Sequence, residues 1–316
     1  MKIKILDRFS LGDDTPIELL SEFGELEVYG STSTAEARER IVGAEVAIIN
    51  KVKMTAEVIA CADKLKLICI FATGYDNVDL SACRERGIAV CNVPGYSSES
   101  VALITVSTAL ALVTHLNEYN SFVRSGAYTA SGTPNRLTPV FHELAGKTWG
   151  IVGYGGIGKA VGRIASALGT RILVNKRVPV DGATCVDIDT LCRESDVISL
   201  HCPLNDGTRE LINKDRLAMM KKDAILINEA RGAVVNEQDV ADAILAGKIG
   251  GFGCDVYSVE PFGADHPYSR IKDLPNVILT PHCAWGSYEA RVRCLNIICD
   301  NIRAFLDGKI KNRVDL

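Results

Sequence analysis

Three ionisable side chains each follow a short apolar run, where a strand of a parallel sheet would end. Arg231 follows AILINEA, Glu260 lies in CDVYSVEP, and His282 closes VILTPH. A guanidinium can bind a carboxylate, an imidazole can exchange a proton with a carbonyl oxygen, and an acid can tune that imidazole. Together with the loop FATGYDNVD, these side chains supply the groups needed to reduce a 2-keto acid.

A glycine loop indicates a nucleotide site. The loop fits G-x-G-x-x-G, follows the apolar run WGIVG and opens the helical pattern IGKAVGRIASALG. The first glycine permits a tight turn, the second lets backbone N–H groups reach a pyrophosphate, and the third allows close helix-strand packing. A structural turn without a ligand is the alternative, as in GGFGCDV, whose glycines lack that strand-loop-helix context. The predicted dinucleotide contacts of the loop are Gly153, Gly155, Gly156, Ile157 and Gly158.

The strand after this helix, RILVN, ends on two cations, Lys176 and Arg177. An NAD site normally places an acid about 20 residues after the loop, where it accepts hydrogen bonds from ribose hydroxyls. A carboxylate would repel a 2′-phosphate, whereas a Lys-Arg pair neutralises it. The pair therefore favours NADP(H). NAD(H) stays possible if the two cations are only solvated.

Strand-like and helix-like segments alternate in two series, from KIKIL to AVCNV and from TWGIVG to NVILTPH. This alternation predicts an α/β fold of two doubly wound parallel-sheet, Rossmann-like domains with a cleft between them. The apolar segment 97–116 predicts a buried helix that joins them, and the helical segment from Ser287 should pack back on the first domain. We expect a discontinuous, flavodoxin-like substrate domain at 1–97 plus 286–316, and a dinucleotide-binding Rossmann domain at 98–285.

Composition argues against several other classes of protein. With 35 Lys and Arg against 39 Asp and Glu, the net charge is −4 and no dense basic run occurs, so nucleic acid and membrane are poor partners. The start, MKIKILDRF, is typical of a first strand and not of a signal peptide. The eleven cysteines are scattered without a C-x-x-C pair, which predicts free thiols in a cytoplasmic protein and no metal site.

Seven segments in order resemble the D-isomer-specific 2-hydroxyacid dehydrogenases, and the resemblance covers nearly the whole chain. The segments are ATGYDNVDL, VCNVPGYSSESVA, HELAGKTWGIVGYGGIGKAVG, LHCPLNDGTRELIN, INEARGAVVNEQDV, DVYSVEP and LTPHCAWGSYEAR. ATGYDNVD and PHCAW are most similar to the glycerate dehydrogenase, or hydroxypyruvate reductase, branch. The resemblance therefore implies an NAD(P)-dependent dehydrogenase of the D-2-hydroxyacid family, with hydroxypyruvate or glyoxylate as the favoured 2-keto acid and a homodimer as the expected assembly.

The resemblance also implies roles for the catalytic residues. His282 would be the general acid in reduction and the base in oxidation, and Glu260 would hydrogen-bond its other ring nitrogen. Arg231 would bind the substrate carboxylate and carbonyl oxygen. Backbone N–H groups of Thr73 and Gly74 would also bind the carboxylate.

Further residues of the same motifs are expected at the cofactor. Asp255 would contact the nicotinamide carboxamide, Pro203 would line the cofactor cleft, and Glu229 would also contact the cofactor. Two departures from the family pattern stand out. Lys176 replaces the usual cofactor-selecting acid, and Leu103 and Ile104 lie where polar residues are frequent, which predicts altered packing of that helix.

Several readings stay open at the level of the sequence. Lys51 could approach the substrate or be a solvated cation, and Trp285 could line the pocket or only pack. Structural or surface roles are expected for the remaining histidines, which lack a comparable arginine and acid: His115, His142, His201 and His266. A dinucleotide-sensing, corepressor-like protein of the same fold is the alternative to an enzyme, and a methyltransferase using S-adenosylmethionine is a weaker third reading.

Overall fold

Short runs of aliphatic residues form the strands of two parallel sheets, which confirms the predicted α/β class. The computed structural model describes residues 1–178, 180 and 182–316. The contacts between residues divide the chain into a smaller unit, Met1–Ser97 with Gly286–Leu316, and a larger unit, Ser98–Trp285.

The smaller unit contains a five-stranded sheet. Its strands are β1 (Lys2–Ile5), β2 (Glu25–Val28), β3 (Val46–Ile49), β4 (Leu67–Ile70) and β5 (Ala89–Cys91), in the order β2-β1-β3-β4-β5. Three of its helices are α1 (Thr34–Arg40), α2 (Ala56–Cys61) and α3 (Leu80–Glu85). Every residue of β3 and β4 is buried, as expected for central parallel strands covered on both faces.

The larger unit contains a seven-stranded sheet in the order β12-β11-β10-β9-β6-β7-β8. Its strands are β6 (Thr148–Val152), β7 (Arg171–Asn175), β8 (Thr184–Cys185), β9 (Val197–Leu200), β10 (Ile225–Asn228), β11 (Gly251–Cys254) and β12 (Val277–Leu279). Its helices are α4 (Ser98–Val113), α5 (Leu116–Arg124), α6 (Ala127–Ser131), α7 (Gly156–Ala167), α8 (Ile188–Glu194), α9 (Lys214–Met219) and α10 (Glu237–Leu245). The strand order reverses between β6 and β9, and open α/β sheets bind ligands beyond the carboxyl ends of strands at such a point.

Register decides which loops meet at that edge of the larger sheet. Asn228 of β10 pairs with Leu200 of β9 and with Cys254 of β11. The residues that follow these three strands therefore emerge side by side. Buried Trp149 of β6 donates its indole N–H to Ser199 Oγ of β9 over 3.0 Å, which fixes the neighbouring pair of strands.

Helix α4 packs against α7, β10 and β11 in the larger unit, and eight of its residues are buried. The predicted buried helix is therefore present, but it ends at Val113, and His115 adopts a left-handed φ of 52° before α5 begins. Leu103 of α4 is exposed. No single helix among the described residues is long and apolar enough to cross a membrane; α4 and α5 pass that test only together, across a 65° bend.

The last helix, α11 (Tyr288–Leu306), returns the chain to the smaller unit, where it contacts β4 and the 3₁₀ helix Ile17–Phe23. Ser287 caps it by accepting a hydrogen bond from the Ala290 N–H over 3.3 Å. The segment Ile17–Phe23 follows Pro16 and spans only seven residues, and it forms the tighter 3₁₀ helix.

Candidate active site

His282 and Glu260, from loops that follow different strands, form a hydrogen-bonded pair in the larger unit. His282 Nδ1 lies 2.7 Å from Glu260 Oε2, and their side chains are 26% and 32% exposed. With Nδ1 occupied by the carboxylate, Nε2 is the ring nitrogen that can exchange a proton with a ligand. The geometry matches the contact that was expected between an acid and the second nitrogen of the imidazole.

The backbone of His282 is held in an unusual conformation. Its φ of 52° lies in the left-handed region, which a residue other than glycine rarely adopts unless its surroundings enforce it. Asp255, after β11, accepts hydrogen bonds from the N–H groups of Cys283 and Ala284 over 2.8 and 2.9 Å. The Trp285 indole N–H donates to the His282 carbonyl over 2.9 Å. Asp255 and Trp285 therefore fix the turn that aims the imidazole.

The loop after β11 fixes the orientation of Glu260. The Tyr257 N–H donates to Glu260 Oε1 over 3.0 Å, while Oε2 faces the imidazole. The Tyr257 hydroxyl donates to the Thr280 carbonyl over 2.7 Å, two residues before His282. Burial raises the pKa of the Tyr257 phenol, which keeps it protonated as a donor. Tyr257, which no sequence motif indicated, thus links both members of the pair.

Arg231 begins the segment after β10, next to this loop. Asn228 Nδ2 donates to the Arg231 carbonyl over 3.0 Å, and the guanidinium Nη1 donates to the Ala230 carbonyl over 2.8 Å. A Cβ on Gly232 would lie 2.1 Å from both Tyr257 C and Ser258 N, so only glycine allows the two backbones to approach so closely. The Arg231 segment therefore lies against the loop that carries Glu260, although no ion pair among the described residues joins Arg231 to Glu260 or His282.

The glycine loop runs from β6 into α7, as predicted. Gly153 has a φ of 89°, and a Cβ there would lie 2.6 Å from Cys202 N, after β9. A Cβ on Gly158 would lie 2.2 Å from the Gly153 carbonyl oxygen. Among the residues that the structure describes, a Cβ on Gly155 would meet nothing within 4 Å, and no side chain caps α7 there. Open space at an uncapped helix N-terminus fits the pyrophosphate of a dinucleotide.

A pocket of about 710 Å³ lies at the switch point of the larger sheet. Its walls come from the residues after β6, β7 and β9, and they include Gly153, Lys176, Arg177 and Pro203. Lys176 and Arg177 are exposed, and the ion pairs found in residues 1–178, 180 and 182–316 involve neither of them. The pocket and its two cations could hold the adenosine end of a phosphorylated dinucleotide.

Glu229 and Asp255 follow neighbouring strands at the same edge. Glu229 is 7% exposed, and its Oε2 has no hydrogen-bond partner among the described residues. Burial, with the Asp255 charge as a second cause, raises the pKa of Glu229 well above its usual range. Asp255 is 2% exposed, and it also accepts a hydrogen bond from Thr280 Oγ1 over 2.6 Å. Asp255 therefore stabilises the turn that carries His282, and its expected contact with the cofactor stays a prediction.

Thr73 and Gly74 lie in the smaller unit, after β4. Thr73 Oγ1 donates to the Val93 carbonyl over 2.8 Å, and Asn92 Nδ2 donates to the Thr73 carbonyl over 2.7 Å. Within the described part of the chain, the backbone N–H groups of Thr73 and Gly74 donate to no acceptor. Lys51 follows β3, donates its backbone N–H to Asp7 Oδ2 over 2.5 Å, and lines a pocket of about 250 Å³ in the same unit.

Two other histidines have surroundings that the sequence did not reveal. His266 pairs with an acid after all, because its Nε2 lies 3.0 Å from Glu237 Oε2. His201, next to the glycine loop, has two shielded ring nitrogens without partners among the described residues, and burial lowers its pKa to about 3. No spacing motif indicated either arrangement. Among the described residues, no group of three or more His, Cys, Asp or Glu side chains could hold a metal ion.

Comparison with known proteins places these features in a family. Residues 106–284 match the family described as D-isomer specific 2-hydroxyacid dehydrogenase, NAD binding domain. The chain is 40% identical to a glycerate dehydrogenase from Methylorubrum extorquens, over 99% of each chain, and 36% identical to a hydroxypyruvate reductase from Blautia hydrogenotrophica, over 100% of each. An acyclic imino acid reductase solved in complex with NADPH and D-Arg superposes with a TM-score of 0.87 at 32% identity, covering 99% of this chain and 100% of that one.

The family match and the relatives define a nicotinamide dinucleotide-dependent oxidoreductase of 2-hydroxy acids. The chain belongs to the D-isomer-specific 2-hydroxyacid dehydrogenase family, near its hydroxypyruvate reductase and glycerate dehydrogenase branch. The resemblance inferred from the seven sequence segments is thereby confirmed.

Proposed function

We propose that this protein reduces a small 2-keto acid, with hydroxypyruvate or glyoxylate favoured, and that it uses NADP(H) in preference to NAD(H). The observation that carries the proposal is the 2.7 Å contact between His282 Nδ1 and Glu260 Oε2 in a protein of this family. The names of the two relatives, a glycerate dehydrogenase and a hydroxypyruvate reductase, support the choice of substrate.

His282 acts as the proton donor in the proposed reduction. The cofactor, when bound, supplies the hydride for the substrate carbon. His282 Nε2 then delivers a proton to the carbonyl oxygen and takes one back in the oxidation of the hydroxy acid. Glu260 holds the ring by Nδ1 and so keeps Nε2 oriented toward the substrate. The side chains of both residues are partly exposed, so a small ligand can reach the ring.

Two groups are proposed to bind the carboxylate of the substrate. In the larger unit, Arg231 binds the carboxylate and polarises the carbonyl, since a guanidinium offers paired donors to oxygen atoms. In the smaller unit, the backbone N–H groups of Thr73 and Gly74 bind an anionic oxygen. The absence of acceptors for these two donors among the described residues supports that role.

The cofactor contacts are assigned to the carboxyl edge of the larger sheet, which makes Ser98–Trp285 the dinucleotide-binding domain and the other unit the substrate domain. Gly155, Gly156 and Ile157 offer backbone N–H groups to the pyrophosphate. Lys176 and Arg177 bind the 2′-phosphate, and the pocket they line supports this assignment. Pro203 lines the same pocket, and Glu229 and Asp255 lie toward the nicotinamide.

The protein is further proposed to form a homodimer in a reducing compartment such as the cytoplasm. Large apolar side chains are exposed along one segment of the larger unit: Leu116, Val123, Leu137, Val140 and Phe141. Exposed apolar surface of this kind is typical of an interface. The eleven cysteines are free, and eight of them are buried. Light scattering of the wild type and of the double variant Leu137→Asp with Val140→Asp measures the assembly, and a monomeric wild type would contradict the dimer.

A panel of 2-keto acids tested with NADPH and with NADH decides the proposed function. Steady oxidation of NADPH by glyoxylate or hydroxypyruvate, with a higher kcat/KM than for NADH, is the expected result. Higher kcat/KM with NADH would overturn the cofactor preference and leave the reaction class in place. Tight dinucleotide binding without turnover of any acid on the panel would instead favour a corepressor-like sensor.

A further inference from the structure

Glu237 connects two segments of the active site without belonging to the pair that exchanges the proton. It is the first residue of α10, six residues after Arg231. Its Oε1 accepts the Ser258 N–H over 2.9 Å, and its Oε2 accepts the Ser258 hydroxyl. Ser258 lies two residues before Glu260. One carboxylate thus ties the segment that begins with Arg231 to the loop that carries Glu260.

His266 completes this arrangement as a further hydrogen-bond donor to the Glu237 carboxylate. His266 Nδ1 accepts the Tyr268 N–H over 3.2 Å, so the ring proton resides on Nε2, which lies 3.0 Å from Glu237 Oε2. The side chains of Glu237 and His266 are only 10% and 6% exposed, whereas those of His282 and Glu260 are 26% and 32% exposed. Glu237 therefore receives three donors in a shielded setting, where hydrogen bonds are strong and a missing partner is destabilising.

The Glu237–His266 pair also lies beside Tyr257, which precedes Glu260 in the loop after β11. The Tyr257 ring lies 6.2 Å from the His266 ring and 4.8 Å from the Phe262 ring. Tyr257 in turn donates to Glu260 through its N–H and to the Thr280 carbonyl through its hydroxyl. Displacement of Ser258 would therefore move the Tyr257 N–H that orients Glu260. Through Glu260, the same displacement would reach the imidazole of His282.

We propose that Glu237 and His266 are positioning residues: they hold the segment 257–260 so that Glu260 orients His282, and they do not touch the substrate. This inference rests on the proposed function. It adds a buried acid-histidine pair that sets the geometry of the exposed one. A misplacement of about 1 Å at a distance from the chemistry lowers rates by about 100-fold, so small shifts of this loop matter.

Glu237→Gln is the main variant, because the amide keeps the size of the side chain but places an N–H₂ group against donors. We expect kcat to fall about 10- to 100-fold, with the dissociation constant for NADPH unchanged within about threefold. KM for the 2-keto acid should stay within about threefold of wild type, because Glu237 does not touch the substrate and the loss falls on kcat. Hydrogen exchange of the Tyr257 and Ser258 amides should become faster in the cofactor-free protein.

Asp242→Asn is the matched control. Asp242 Oδ1 binds Arg270 Nη1 over 2.9 Å, so it joins the same helix α10 to the 3₁₀ turn Pro267–Arg270 that follows His266, but this contact is exposed. We expect wild-type kcat, wild-type KM for the 2-keto acid and wild-type hydrogen exchange at Tyr257 and Ser258. Equal effects of Glu237→Gln and Asp242→Asn would show a merely structural role and overturn the proposal.

Milder variants keep the proposal testable if Glu237→Gln does not fold. His266→Gln can still donate to Glu237 and should retain more activity than His266→Ala. Ser258→Ala keeps the backbone N–H bond to Glu237 and should lower kcat by a few-fold, with KM for the 2-keto acid largely unchanged. An unchanged kcat in both Ser258→Ala and His266→Ala would refute the positioning role. If the wild type reduced no 2-keto acid, the proposed function itself would fail, which is a different result.

Discussion

His282 Nδ1 lies 2.7 Å from Glu260 Oε2, although the two residues are 22 positions apart and follow different strands. The contact leaves Nε2 for the ligand, and Asp255 and Trp285 hold the turn on which His282 lies. An imidazole with an acid on one nitrogen and access on the other is arranged for general acid-base catalysis.

Replacement of the imidazole should remove the proton donor. His282→Ala is expected to lower kcat about 10²- to 10⁴-fold, with NADPH binding largely kept, as measured by steady-state kinetics and fluorescence titration. His142→Ala removes an exposed histidine of the same unit and serves as the control. Near-normal turnover of His282→Ala would exclude the assigned role.

Loss of the acid should lower turnover by loosening the imidazole. In Glu260→Gln the charge-assisted hydrogen bond between Oε2 and His282 Nδ1 becomes a neutral one, which is about half as strong and holds the ring less firmly. We expect kcat for 2-keto acid reduction to fall at least about tenfold, with NADPH binding largely kept, as measured by steady-state kinetics and fluorescence titration. Wild-type kcat in Glu260→Gln would mean that Glu260 does not act on the ring.

The cation pair after β7 should select the cofactor. Because only NADP(H) carries a 2′-phosphate, Lys176→Gln with Arg177→Gln should raise KM for NADPH by at least about tenfold, since each lost charge-assisted hydrogen bond is worth about 1.5–3 kcal/mol. KM for NADH should change little. Lys221→Gln with Lys222→Gln is the control. It removes an equal charge just before β10, at the amino ends of the strands and not at the carboxyl ends, where the pocket lies. An equal rise of KM for both cofactors would contradict a phosphate contact.

Two glycines of the same loop should respond differently to a methyl group. Gly155→Ala adds a Cβ to open space, so the protein should fold with nearly wild-type stability but bind NADPH more weakly. Gly158→Ala forces a Cβ to 2.2 Å from the Gly153 carbonyl oxygen and should destabilise the larger unit by about 1–3 kcal/mol. Thermal unfolding and cofactor titration of both variants measure the difference. Weaker binding only in Gly158→Ala would argue against Gly155 at the pyrophosphate.

Burial of Glu229 should make stability depend on pH. Its pKa is raised in the folded state, so the neutral form folds, while the unfolded chain ionises above its ordinary pKa of about 4.3. Stability of the wild type should therefore decline as pH rises through that value toward the folded pKa. Glu229→Gln has no carboxyl to ionise at this position, so the Tm of the variant minus the Tm of wild type should increase with pH. Each kcal/mol of unfolding free energy corresponds to about 2–4 °C.

The Tm of Glu229→Gln and wild type is best measured between pH 4 and 9 without cofactor. Glu143→Gln, which changes an exposed carboxyl in the same unit, provides the reference for a pH effect unrelated to burial. A Tm difference between Glu229→Gln and wild type that stays constant over this range would contradict a buried neutral carboxyl.

Local patterns in the sequence determined much of this protein. Alternating strand-like and helix-like runs predicted two parallel sheets, because periodicity and turn residues depend on neighbours in the chain. The glycine spacing after WGIVG predicted the turn from β6 into α7, and Gly153 and Gly158 have the close contacts that require glycine. The same reasoning missed the break at His115, where the helix predicted for 97–116 has already ended at Val113 and the backbone turns left-handed.

Only the tertiary structure decided which side chains meet. Glu237 and His266 are 29 residues apart, and their contact depends on the order in which β10 and β11 lie side by side and on where the loops after them turn. The approach of Gly232 to Tyr257 and the burial of Glu229 have the same origin. A sequence shows which groups are available at strand ends, whereas partners, burial and protonation are set by residues distant in the chain that the folded backbone brings within a few ångströms.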